Sequence, residues 1–529
     1  MATTAIALPG PSERHVSPWL LAATVPLAAF MEFLDTTIVN VAVEHIAGDL
    51  SSSVDEATYV LTSYLVANVI VLPLSGYLTG LLGRKNYYLW SVVIFTIASA
   101  LCGLAPSLGF LVFFRVLQGL GGGGLQPLSQ AILMDAFPPE KKSTAQSLFA
   151  VVATVAPAIG PIAGGWLTDN YSWRWIFFIN IPIGIFAFVA NSRLIQDPPH
   201  IERFAPRSRK FDYQGLTFLA VGLGSLQFVI DRGQVLDWFG SITITTFSIL
   251  SVVSLIAFVG WELTHSHPVV DLRLLANKNF SLSVFAMLVF GFVFYAVTYL
   301  QPLFCQQMLG WTATSAGLAL SPGALVFFVF MPAMPLLIKR MTPRYMIVLG
   351  FLMHGVVCLI LVHSNLHVPF GRVLGTRIFE IVSVVFLMIP INVMAYGFLV
   401  KTKITSGSGL LNLGRNMGAS FGVSMAAAML ARRVQTHQSM MVSHLTPADL
   451  ANRAVMSSNT QLLVQHGWSY VDAKVGAIAL VARVVEQQAM MLSYIDIFWV
   501  LAVASFLAAP IPLLIRSKKS TGPVELHVE

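Results

Sequence analysis

Charge is what this 529-residue chain has least of: Asp, Glu, Lys and Arg make up 10% of it, against roughly 25% in an ordinary soluble domain. Cysteine is nearly absent as well. Cys102, Cys305 and Cys358 are odd in number and lack C-x-x-C or Cys/His spacing, which excludes a disulfide framework and a cysteine metal site and leaves them as packing residues. Gly119 and Gly121 to Gly124 are not followed by Lys-Ser/Thr, so no phosphate loop is present. With no metal, nucleophile–base or phosphate constellation, neither an enzyme nor a bound cofactor is expected. Residues 1–17 are polar and lack a basic leader running into a small-residue cleavage site, so the first apolar segment is expected to stay as a signal anchor.

Apolar sequence fills the space that charge leaves. The chain is 56% hydrophobic, with a mean hydropathy of +0.75. Runs of about 20 apolar residues, enough to cross a hydrocarbon core of roughly 30 Å, recur about fourteen times. They lie near 19–43, 57–81, 87–104, 108–133, 145–167, 175–194, 216–230, 242–261, 280–300, 315–337, 345–363, 373–396, 406–430 and 495–515. The fold class is therefore an all-α polytopic membrane protein. The formal charge of +7 does not indicate nucleic acid, because the basic residues sit in short connectors: Arg84 with Lys85, Lys141 with Lys142, Arg273 with Lys278, Lys401 with Lys403. These connectors all fall on one side. That side reads as cytoplasmic, with both termini there and Arg174 and Arg232 as the main exceptions opposite.

Organisation follows from repetition. Arg115-Val-Leu-Gln118 in span four matches Arg377-Ile-Phe-Glu380 in span twelve, and Gly160, Gly164 and Gly165 in span five match Gly418 and Gly422 in span thirteen. The register fits two six-helix halves, 18–194 and 263–515, with a cytoplasmic linker at 195–212 and an inserted helix pair at 213–262. Residues 1–17 and 516–529 form cytoplasmic ends. Repeated halves around a central site are a transporter plan. Within the second half, 431–494 is less apolar and lies outside. There Thr446-Pro447 is expected to start a short helix. Val475, Ile478, Val481, Val484 and Val485 mark an amphipathic helix over 471–491, which either packs on the protein's own mouth, lies on the membrane or docks a partner.

Chemistry concentrates where charge interrupts apolar runs. Glu32 and Asp35 stand three residues apart in span one, on one helix face, at a cost of about 2.5 to 3.5 kcal/mol for each ionised group. Three roles fit the pair: structural polar residues, proton carriers whose charge changes during a transport cycle, or counter-ions for a cationic substrate. Arg115 needs acceptors in span four, among which Glu32, Asp35, Gln118 and backbone carbonyls are in range. Arg377, Glu380, Asn412, Arg415 and Asn416 form a second-half polar set, in which Arg377 and Glu380 can satisfy each other and Glu380 is the expected partner of Arg415. Span nine holds no acid over 280–300, which assigns proton chemistry to the first half. Gly160-Pro161 with Gly164 and Gly165 combines close helix approach with a bending point. Gln118, Phe290, Phe294 and Phe386 are candidates for substrate contact in an adaptable apolar cavity.

These motifs resemble the major facilitator superfamily, and within it the EmrB/QacA subfamily of fourteen-span drug:proton antiporters. Leu34-Asp35-Thr36-Thr37-Ile38-Val39-Asn40-Val41-Ala42 is similar to that subfamily's first-helix signature, and Gly76 to Leu89, with Gly83-Arg84-Lys85, to its loop after helix two. Leu111 to Gly119, Ala156 to Gly165 and the run from Trp173 through Asn180 to Gly184 resemble its motifs in helices four, five and six. The resemblance implies export of hydrophobic or amphipathic compounds, driven by the inward proton gradient through rocking of the two halves. It makes Asp35 and Arg115 the coupling residues, with Glu32 beside them, and Gly160, Pro161, Gly164, Gly165, Gly83 and Arg84 the conformational motif. The outer segment resembles that of the EmrB branch, which implies a periplasmic adaptor, an outer-membrane channel and a Gram-negative inner membrane. Two positions depart from the pattern. Gly80 stands where the loop motif carries Asp, leaving Arg84 to find helix ends, and Glu32 is an added acid that either selects cations or shares a proton with Asp35. A transporter of one dedicated metabolite on the same fold is the nearest rival, favoured if energised vesicles move one compound and ignore lipophilic dyes. A non-transporting membrane sensor is the rival from another class.

Overall fold

A computed structural model describes residues 17–138, 141–197, 212–265, 268–320, 323, 325–330, 333–445 and 450–514. Most of the linker, the two terminal segments and Thr446-Pro447 therefore lie outside the described residues. Within them the chain is helical from end to end, and no strand occurs.

Eleven helices are long and apolar enough to cross a membrane, and all eleven fall on runs read from the sequence. The first half contains α1 (Pro18–Ala42), α2 (Tyr59–Leu82), α3 (Arg84–Gly103), α4 (Leu108–Ala136), α5 (Lys142–Asn170) and α6 (Trp175–Leu194). The inserted pair is α7 (Tyr213–Arg232) and α8 (Ile242–Thr264). α9 (Lys278–Met308) opens the second half. In the tenth expected span, 315–337, the described helical pieces are α10 (Ala313–Leu320), α11 (Leu325–Phe330) and α12 (Met334–Arg340). α13 (Pro343–Val362), α14 (Phe370–Gly397), α15 (Ile404–His444), α16 (Leu450–Gln465) and α17 (Tyr470–Ala508) complete the chain. All membrane-crossing helices have one end near the basic connectors, here termed the basic end.

Local sequence explains the joints. Gly83 adopts φ +80° between α2 and α3, a backbone region that an L side chain resists, so the α2–α3 turn requires glycine. Gly160 and Gly164 let α5 lie on α1: a Cβ at Gly160 would sit 2.1 Å from the Thr37 hydroxyl, and one at Gly164 2.8 Å from the Ile38 carbonyl. Gly418 and Gly422 do the same for α15 on α9, with positions 1.9 Å from the Leu288 carbonyl and 2.1 Å from the Phe292 carbonyl. Gly165 differs. Nothing stands within 4 Å of its Cβ position, so it takes no part in this close approach.

The inserted pair does not float beside the halves. α7 touches one helix of each: Thr62 of α2 donates to Asp231, Arg232 donates to Thr58, Gln227 Nε2 donates to Ser420 Oγ at 3.0 Å, and Ser424 of α15 donates to the Ile230 carbonyl at 2.5 Å. Arg232 also lies 4.2 Å over the Tyr59 ring, which resolves its exceptional place in the charge pattern.

The outer segment is built differently from its sequence reading. α15 has 41 residues and α17 has 39, about 60 Å each at 1.5 Å per residue, twice the hydrocarbon thickness. Both exceed the length that a crossing needs, so 471–491 is the first part of the last spanning helix and not a separate amphipathic one. Its apolar residues also face two ways. Val485 is buried with Ala473 and Ala477, while Val475, Ile478 and Val484 are 57–65% exposed. Small alanines make the internal contact; the valines and isoleucine point outward.

Candidate functional site

The first polar centre gathers around Asp35, fully buried in the half of α1 away from the basic end. Arg115 Nη1 of α4 donates to Asp35 Oδ2 at 2.5 Å, and its Nε donates to the Val60 carbonyl of α2 at 3.0 Å. Gln118 Nε2 donates to Asp35 Oδ1 at 2.9 Å while Gln118 Oε1 accepts from Arg115 Nη1 at 2.8 Å. Asn180 Nδ2 of α6 reaches Oδ1 at 3.3 Å and is held by Ser99 of α3 at 3.0 Å. The guanidinium lies 4.2 Å from the Tyr64 ring centroid. Both oxygens of the acid thus accept hydrogen bonds, two on Oδ1 and one on Oδ2. A buried pair is tolerated only when geometry and added hydrogen bonds repay desolvation, and removing one partner costs about 3 to 5 kcal/mol. A proton arriving on Asp35 would cancel the attraction that holds Arg115, so this arrangement can convert protonation into side-chain movement.

Glu32 belongs to a separate network. Its Oε1 accepts from Asn68 Nδ2 of α2 and from Gln126 Nε2 of α4, each at 2.8 Å, and its Oε2 is buried with no hydrogen-bond partner among the described residues. Gln126 turns its carbonyl to Arg415 of α15, which donates to it. Arg415 also lies 5.3 Å from the Phe33 ring centroid and 3.4 Å from Asn416 Oδ1. The expected Arg415–Glu380 pair is therefore absent: Glu380 is taken by Arg377 at 3.0 Å. Arg415 faces the first half because it lies in α15 on the surface that meets α4, so its acid is Glu32, reached through an amide.

Nearer the basic end the halves are tied more closely. Gln130 Oε1 of α4 accepts from Tyr396 of α14 at 2.5 Å and from Ser408 and Asn412 of α15 at 2.8 and 3.0 Å. Arg84 finds a carboxylate, Asp135 at the end of α4, where helix ends were expected, and also reaches Thr405 at 3.4 Å. Asp135 closes the gap left by Gly80. A Cβ at Gly409 would stand 2.5 Å from the Leu72 carbonyl, and one at Gly76 would meet the Ser406 hydroxyl. The basic end is closed.

The remaining candidates sit inside the second half. Phe290 and Phe294 stack at 5.5 Å in α9, and Phe386 of α14 is buried in the same core. Arg377 and Glu380 meet Gln301 of α9. Structure gives Asn180 of the helix-six run a place on Asp35 and adds Asn68, Gln126, Gln130, Asp135 and Gln301 to the residues singled out from sequence. A signal existed for two of them: Gln126 and Gln130 repeat at i, i+4 in an apolar run, the spacing of one helix face.

Residues 26–423 match the family model described as Major Facilitator Superfamily. The chain belongs to the major facilitator superfamily. Among similar proteins is "Multidrug export protein EmrB" of Escherichia coli K12, 33% identical over 91% of this chain and 92% of its own. "Fatty acid resistance protein FarB" of Neisseria gonorrhoeae is 34% identical over 94% and 96%. The solved structure of the proton:xylose symporter XylE, a superfamily member, superimposes with a TM-score of 0.60 at 13% identity, covering 94% of this chain and 96% of that one, a likeness of fold. The chain is an EmrB/QacA-like superfamily protein with two six-helix halves and an inserted pair, a multi-pass membrane protein with the character of a transporter.

Proposed function

We propose that this protein is a multidrug exporter that exchanges hydrophobic or amphipathic compounds for protons by alternating access. The observation that carries the reading is the buried Asp35–Arg115 pair, closed by Gln118 and Asn180 in the half opposite the closed basic end. Asp35 takes and releases the coupling proton, and Arg115 is the charge that its state holds or frees. Glu32, joined through Gln126 to Arg415 across the halves, selects cations or senses the rocking of one half against the other. The names of the EmrB and FarB relatives, a multidrug exporter and a fatty acid resistance protein, support lipophilic cargo.

Topology in this reading places the basic end and both termini in the cytoplasm of a bacterial inner membrane, so the structure is closed to the cytoplasm. The extension formed by the outer parts of α15 and α17 with α16 then stands in the periplasm, where it docks an adaptor that leads to an outer-membrane channel. The outward-facing Val475, Ile478 and Val484 support that role.

The deciding experiment is efflux of ethidium and of a long-chain fatty acid from cells holding matched amounts of wild type, Asp35→Asn or Glu32→Gln. Loss of both effluxes in Asp35→Asn, with loss of ethidium alone in Glu32→Gln, is the expected result. Normal transport by Asp35→Asn would sink the coupling role given to Asp35.

A further inference from the structure

The second half contains a triangle that reproduces the Asp35 site with two members exchanged. Arg377 Nη1 donates to Glu380 Oε2 at 3.0 Å and to Gln301 Oε1 at 3.3 Å, and Gln301 Nε2 donates to Glu380 Oε2 at 2.8 Å. In the first half the acid stands on α1 and the amide beside the arginine on α4. Here the amide stands on α9 and the acid beside the arginine on α14, which is why span nine shows no acid of its own.

One difference separates the two triangles. Both oxygens of Asp35 accept hydrogen bonds, whereas Glu380 Oε1 is buried with no partner among the described residues. An ionised oxygen without a donor in the interior carries its full desolvation cost, and a proton placed on it removes the charge. A cavity touches the triangle at its amide, Gln301, and not at the carboxyl itself. This cavity of about 20 Å³, large enough for one water, is lined by Gln301, Cys305, Ser364, Val368, Arg372 and Thr376 at the end opposite the basic connectors. Ser364 and Arg372 reach the surface there.

We propose that Glu380 is a second proton-binding carboxyl, supplied from the outer face through the water-sized cavity beside Gln301, so that each half of the transporter carries one arginine–amide–acid proton site. The inference rests on the proton-coupled reading above. A hydronium that enters by the cavity gives its proton to Glu380 Oε1, the oxygen without a donor, when the Gln301 side chain swings aside, and leaves as water; Arg377, released from its anionic partner, keeps Gln301 and Thr298, which stand at 3.3 and 3.4 Å. The titratable groups facing Glu380 are few. Arg377 lies on its own helix, and His354 and Cys358 lie on α13, with His354 Nδ1 3.3 Å from Ser383 Oγ, which donates to the Glu380 carbonyl at 2.6 Å. α9 contributes the neutral Gln301 and Thr298; α10 and α11 contain no titratable residue; α5 has Lys142 and Asp169 near its two ends only; and Arg415 of α15 is held by Gln126.

The test is the number of protons exchanged per ethidium, obtained in proteoliposomes from the pH gradient that just halts net flux, beside ethidium counterflow, which needs no net proton movement. Glu380→Gln is expected to exchange about one proton fewer per ethidium than wild type while counterflow persists. An unchanged ratio overturns the proposal. A wild type that moves ethidium without protons instead overturns the function reading beneath it, and Asp35→Asn alone losing coupling leaves that reading standing while refuting the second site. Should Glu380→Gln not fold, Ser364→Leu, which fills the cavity mouth, is expected to slow proton-driven export severalfold with counterflow intact; an undiminished rate contradicts the proposed entry path.

Discussion

Arg115 makes one guanidinium serve a carboxylate, an amide and a backbone carbonyl from three different helices. The physical consequence is that Arg115→Ala strands an ionised Asp35 in the interior, at about 3 to 5 kcal/mol. Asp35→Asn combined with Arg115→Gln removes both charges and is expected to recover most of the lost thermal stability while transport stays abolished. Recovery of proton-driven efflux in that double variant would show that the charges are structural. At this scale the sequence was legible in part. Asp35 and Arg115 stood out because charge in an apolar run is expensive, Gln118 because it stands in the repeated R-x-x-Q/E pattern, and they do meet. Asn68 carries no formal charge and stands in no repeated motif, so nothing separated it from ordinary helix residues, while Gln126 showed only its spacing to Gln130 and Asn180 only its place in the helix-six run. Arg415 was misread because the nearest acid in sequence pattern, Glu380, faces the inside of its own half.

Among the elements, two glycine rows decide how closely α5 and α15 approach α1 and α9. Gly418→Ala places a methyl group against the Leu288 carbonyl, backbone that cannot swing away, and is expected to cost about 1 to 3 kcal/mol in thermal unfolding. Gly165→Ala meets nothing within 4 Å and is expected to be neutral or stabilising, by up to about 1 kcal/mol from helix propensity. Equal losses at both positions would refute the distinction. The repeat in sequence could not make it, since the third glycine of a motif looks like the first two until the partner helix is in place. The extension offers a second test. Val475→Glu with Ile478→Glu alters residues exposed on α17 and is expected to lower drug resistance in whole cells while leaving transport in proteoliposomes unchanged. Equal loss in both assays would show that this face serves the transporter itself.

For the whole molecule, closure of the basic end depends on backbone proximity between α2 and α15. Gly76→Ala would collide with Ser406 and so disfavour the closed state, lowering ethidium efflux at normal expression. Ser406→Gly in the same chain removes the two nearest atoms, leaving the Ser406 Cα at 2.9 Å, and is expected to restore efflux in part; no such rescue is available at Gly409, which meets the Leu72 carbonyl. Failure of the second substitution to restore transport would mean that closure does not pass through this contact. α7, bonded to α2 and to α15, must accommodate the same motion.

Sequence by itself determined the solvent and the plan: apolar runs of membrane length and basic connectors on alternate joints are local properties, and the paired motifs of the two halves are legible because each is itself a short local pattern that recurs. Which polar groups meet was decided only by the tertiary structure. Hydrogen bonds between Gln126 and Arg415, Gln130 and Asn412, or Gln301 and Glu380 span from 79 to 289 positions in the chain, and the order of residues encodes no distance at that range. Helix packing supplies it, because close approach at glycine turns a particular face of each helix toward a particular neighbour and leaves each buried polar group only the partners that face presents.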